Sequence, residues 1–80
     1  MQCNGLGKFI HYRRKSLSPE VSLNSFAFDN DIDSAILSRI ERELQDVKFS
    51  VLRKIAKGFG QKVSEFISDF ENSQFYIDSL

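Results

Sequence analysis

The chain holds almost nothing with which to do covalent chemistry. Its 80 residues include one cysteine, Cys3, one histidine, His11, and no tryptophan. A lone thiol excludes an internal disulfide and a multi-cysteine metal site, and a lone imidazole removes most triad and metal-ligand arrangements. Neither an enzyme nor a cofactor is therefore expected. No stretch approaches the roughly 20 apolar residues of a membrane span, and the first residues lack the charged-then-apolar pattern of a signal peptide. These absences predict a cytoplasmic chain with no membrane partner, and a single thiol fits a reducing compartment. Neither sign of charge prevails: 11 basic residues balance 11 acidic ones.

Hydrophobic residues make up 41% of the chain and eight of them are Phe, which suits one small globular domain rather than a disordered segment. A domain of this size buries about 60–65% of its unfolded surface, so most apolar residues are needed for the core. Their spacing is helical throughout. Leu6, Phe9 and Ile10 mark a first helix ending near Lys15, and "SLSPEVS" (16–22) reads as a loop around the only proline, Pro19. Ser22 is a natural N-cap for a second short helix carrying Phe26, Ala27 and Phe28, and the turn-forming "DNDID" (29–33) ends in Asp33, placed to cap a third. The third helix runs from Ser34 to about Glu43. A fourth spans about Phe49 to Phe59, with Leu52, Ile55, Ala56 and Phe59 as its stripe and Gly60 as its stop. A fifth starts near Val63 and turns Val63, Phe66, Ile67 and Phe70 inward.

The third helix raises a question. In "IDSAILSRIERE" only Leu37 and Ile40 are large apolar residues placed to face inward together, and serines and arginines occupy the rest. The longer string "LSRIERELQDVKFSVLRKIAKGFGQKVSEFI" (37–67) resembles the Xre-type helix-turn-helix family, the lambda-repressor-like DNA-binding domains. That family carries a hydrophobic-Ser-x-hydrophobic-Glu segment at the end of its recognition helix, matched here by Leu37, Ser38, Ile40 and Glu41. At fixed distance follows a Leu-(x)2-Leu-(x)2-Ile-Ala-(x)2-Leu-Gly segment, matched by Phe49, Leu52, Ile55, Ala56, Phe59 and Gly60. Without a gap, Phe26 and Ala27 fall on the family's Leu-Ala pair and Ile32 on the apolar residue closing the turn, so the register holds from Val21 to Phe66. "LGKFIHYRR" looks like the family's first helix, followed by a loop about two residues longer than usual.

The resemblance implies an all-α, five-helix domain over residues 1–72, with a tail at 73–80. It also explains the narrow apolar edge, because a recognition helix packs on its scaffold along one side and leaves the other free for a major groove. The implied DNA-facing residues are Ser34, Ala35, Ile36, Ser38, Arg39 and Arg42. Arg39 is best placed to read guanine, Ser34 and Ser38 can bond base edges or phosphates, and Ala35 or Ile36 can meet a thymine methyl. Arg39 and Arg42 have a second reading, surface ion pairs with Glu43 or Asp46, which weighs more for Arg42. His11 and the run Arg13, Arg14, Lys15 read as ordinary solvated surface, with a phosphate contact as the alternative.

Five positions depart from the family pattern. Glu43 replaces a Gly that closes the helix in a left-handed cap, so the helix either runs on toward Gln45 or ends under strain. Leu23 stands for a polar residue, Asn30 for an apolar one, and Val47 with Lys48 for a Pro-Ser start of the fourth helix. A formal charge of zero is also low for a DNA binder. The expected function is a sequence-specific regulator binding double-stranded DNA as a homodimer, with Phe66, Phe70, Phe75, Tyr76 and Leu80 in the dimer interface. The alternative is an antitoxin-like module that chiefly holds a toxin partner.

Overall fold

The computed structural model describes residues 5–76 and arranges them as an all-α domain of five helices, with no strand among the described residues. They are α1 (Leu6–Lys15), α2 (Leu23–Asp29), α3 (Ser34–Glu41), α4 (Phe49–Gly58) and α5 (Val63–Glu71). Both expected N-caps form. Ser22 Oγ accepts from the Ser25 amide at 3.1 Å, and Asp33 Oδ1 accepts from the amides of Ala35 at 2.8 Å and Ile36 at 3.2 Å.

Three helices end alike. The amides of Ile32, Leu44 and Gln61 reach back to the carbonyls of Ala27, Arg39 and Ala56 at 2.8, 2.9 and 2.9 Å, closing each helix with one left-handed residue. Those residues are Asp31 (φ 57°), Glu43 (φ 64°) and Gly60 (φ 72°). At Gly60 the conformation is free of steric cost, whereas a side chain there costs about 1–2 kcal/mol. This ends α3 at Glu41, short of the Glu43 expected from sequence, and of the two outcomes open at Glu43 the strained stop is the one adopted.

The core is a chain of rings. Phe26 of α2 lies 4.9 Å from Phe59, Phe59 stacks on Phe66 of α5 at 5.6 Å, Phe66 meets Phe9 of α1 at 5.3 Å, and Phe9 meets Phe70 at 5.4 Å. Ile10, Leu37, Ile40 and Ile55, all fully buried, fill the space between α1, α3 and α4. Phe66 and Phe70 are therefore spent inside the protomer, and their placement in a dimer interface is corrected: neither offers a second copy any surface. The tail folds back as well. Phe75 packs on Phe9 and Tyr12 at 6.3 and 5.3 Å, and Tyr76 meets the edge of Phe70 at 5.3 Å. Leu80 lies outside the described residues.

One polar group sits within this core. Arg14 and Glu41 have side chains only 6% and 4% exposed and form a fork, Nε to Oε2 at 2.9 Å and Nη2 to Oε1 at 2.8 Å. Arg14 Nη1 also donates to the Val21 carbonyl at 2.9 Å, and the His11 ring approaches Glu41 Oε1 through Nδ1 at 2.9 Å. The reading of Arg14 as solvated surface is thus corrected. Residues 7, 10 and 14 share one face of α1, and that face is the buried one.

Burial by itself would raise the Glu41 carboxyl, but the hydrogen bonds from Arg14 and His11, with their charges, outweigh it and hold the group below its ordinary range. A carboxyl whose titration point is lowered by folding adds stability above its unfolded value, near pH 4.3, and loses it as pH falls through the folded value. The melting temperature should accordingly drop below about pH 4, with a component that Glu41→Gln removes. At neutral pH Glu41→Gln should cost about 3–5 kcal/mol, since it leaves Arg14 buried and uncompensated, and a melting curve that hardly shifts would overturn this account.

Candidate nucleic-acid interface

Helix α3 meets the rest of the domain along one edge. Leu37, Ile40 and Glu41 point inward and are buried, while Ser34, Ala35, Arg39 and Arg42 are exposed. Ser38 is half-buried. Ile36 is half-buried and packs against the core, so its outward placement by sequence holds only in part. The structure thus brings five of the six implied DNA-facing residues onto one accessible face and leaves Ile36 at its border.

Two supports hold this helix against α1. The fork from Arg14 grips its C-terminal end at Glu41. Gly7 lets the two backbones approach, since a Cβ at that position would lie 1.9 Å from the Ile40 carbonyl oxygen. Glu43 adds a third tie. Its carboxylate accepts from the Gly5 amide at 3.3 Å and the Lys8 amide at 3.0 Å, supplying the start of α1 with the acceptor that its own N-cap, Gly5, lacks. Both signals were hard to read in sequence, because nothing local to Arg14 or Glu43 announces a partner some thirty residues away.

The arginines on the outer face are not loose. Arg39 Nε donates to Gln45 Oε1 at 2.8 Å, and Arg42 Nε donates to the Ser38 carbonyl at 3.3 Å. Gln45 thereby steadies the Arg39 guanidinium from the connector that follows α3, leaving its Nη1 and Nη2 ends unoccupied by that bond. Large apolar side chains are also left uncovered by the described residues: Phe28, which shares a surface cleft with Ser34, is 85% exposed, Phe49 66% and Leu44 64%. The basic run of α1 is engaged within the domain. Arg13 bonds Gln61 at 3.1 Å and lies 4.9 Å over the Phe59 ring, Arg14 is buried, and Lys15 pairs with Glu20.

The side chains of Asn30 and Asp31, in the turn between α2 and α3, have local partners. Asn30 Nδ2 donates to the Phe26 carbonyl at 2.8 Å, next to Gly58, where a Cβ would come within 2.8 Å of that same nitrogen. Asp31 holds its left-handed turn under Lys54, whose Nζ donates to the Asp31 carbonyl at 2.9 Å. No described helix is long and apolar enough to cross a membrane. No family model matches this chain, and neither a curated protein nor a solved structure matches it.

Glu43 can be separated into its two effects. Glu43→Ala keeps a Cβ in the left-handed region and deletes the acceptor for α1, so it should destabilise by about 1–2 kcal/mol. Glu43→Gly deletes the same acceptor but relieves the backbone cost, and should lose about 1 kcal/mol less. Thermal melts of the two variants check this, with equal stabilities as the outcome that would refute it.

Proposed function

We propose that the chain is a sequence-specific DNA-binding transcriptional regulator of the Xre, lambda-repressor-like kind, a repressor acting as a homodimer on a palindromic operator. One observation carries the reading: α3 is anchored by a thin inward edge while Ser34, Ala35, Ser38, Arg39 and Arg42 form a continuous polar and cationic outer face. A helix presented in that way can enter a major groove and place short side chains against base edges. Arg39 is the base reader, its guanidinium steadied by Gln45 so that less freedom is lost on contact. Asp33, capping α3, spends its negative charge on two amides of that helix rather than on the groove. Two copies related by a twofold axis would set their α3 helices about 34 Å apart, one turn of DNA.

A second reading, an antitoxin-like module that holds a toxin, is favoured by the exposed Phe28, Leu44 and Phe49, since uncovered aromatic and aliphatic side chains suit a protein partner. Polarisation binding to DNA from upstream of the chain's own reading frame separates the two. A clear preference over random DNA at about 0.1–0.15 M salt supports the operator reading, and equal weak binding to both favours the protein partner.

Arg39→Ala should weaken operator binding by about 1–3 kcal/mol and relax selectivity at one base pair in each half-site. An equal loss on operator and random DNA would make Arg39 a phosphate contact instead.

A further inference from the structure

The cations of this chain are unevenly committed. Arg13, Arg14, Lys15 and Lys54 all have carboxylate partners, in Asp69, Glu41, Glu20 and Asp31 respectively. A groove of about 460 Å³ between α4 and the start of α5 is lined by Arg53, Lys54, Lys57 and Lys62, and its remaining lining residues carry no charge. Within it, Arg53, Lys57 and Lys62 are exposed and make no side-chain ion pair with any described residue. Arg53 and Lys57 stand one helical turn apart on α4, a like-charge spacing that disfavours the free helix by a few tenths of a kcal/mol. In a chain of zero net charge, this is a concentrated positive surface in which, among the described residues, only Lys54 has a side-chain ion-pair partner, Asp31.

Its position selects the partner. Lys54, at one side of the groove, reaches the carbonyl of Asp31, two residues before the Asp33 that caps α3. One side of the groove therefore lies by the turn that leads into α3. We infer that the α4 groove is a second, sequence-independent contact that tracks the phosphodiester backbone of the same duplex, with Arg53 and Lys57 neutralising phosphates. The inference takes from the DNA-binding reading only the class of ligand. It removes the difficulty of the zero net charge, because counterion release depends on the cations that face the backbone and not on the total.

The test uses the full chain and a short duplex of random sequence, titrated by polarisation from about 50 to 200 mM salt. Arg53→Gln with Lys57→Gln should lower the slope of log K against log salt by about 1.8, two phosphates at about 0.9 each. The charge-keeping pair Arg53→Lys with Lys57→Arg should retain the slope. Lys8→Gln with Lys15→Gln, which changes net charge equally on α1, should leave it unchanged. An unaltered slope in the groove variant, an equal fall in the α1 control, or no duplex binding by the parent chain would each overturn the inference. So would an unaltered slope accompanied by a changed mass in light scattering, which would give the groove to a second copy. Failure of the recognition-helix reading looks different: Arg39→Ala would then leave base preference untouched while the groove variant still lost its salt slope.

Discussion

The fork between Arg14 and Glu41 is the constraint on which the rest of the domain turns. Two large apolar anchors, Leu37 and Ile40, are too few to fix the rotation of a two-turn helix about its own axis. A planar guanidinium meeting a carboxylate through two hydrogen bonds supplies the missing orientation, because it tolerates little twist. The same guanidinium holds the Val21 carbonyl, so α1, the entry to α2 and the end of α3 share one fastening. Burying the pair carries a desolvation cost that its mutual attraction offsets only when every donor and acceptor is matched. Here no buried side-chain nitrogen or oxygen of the described residues is left without a partner.

Around that fastening the packing is aromatic and the turns are tight. The rings from Phe26 to Phe70 join α1, α2, α5 and the C-cap of α4 and leave α3 out, which is why α3 depends on the charged pair and on the close approach at Gly7. Glu43 shows how a locally unfavourable residue is retained. Its backbone sits in a conformation better suited to glycine, yet its carboxylate serves the first turn of a different helix.

Much of the architecture was legible in the sequence because it depends on local chemistry. The helical spacing of Phe66 and Phe70, the caps at Ser22 and Asp33 and the stop at Gly60 each depend on residues within a turn or two, and all are found as expected. The outer face of α3 was given by the family resemblance, and Ile36, which packs against the core, is the residue that departs most from it. What could not be read were the contacts between distant segments. Arg14 looked like one member of a basic run, and only its place on the Gly7 and Ile10 face set it apart from Arg13 and Lys15. The dimer contacts expected at Phe66 and Phe70 failed for the complementary reason: a ring that is apolar and regularly spaced satisfies a core and an interface equally well, and sequence does not say which surface gets there first.

The ring chain also bears on how this domain can change over generations. Phe59 and Phe66 each touch two other Phe rings and Phe9 touches three, so a replacement at one alters the cavity that its neighbours must fill, and close-packed interiors relax only in part. Substitutions at these positions should be accepted as matched sets rather than singly. The outer face of α3 holds none of these rings, so a replacement there leaves the ring packing unchanged.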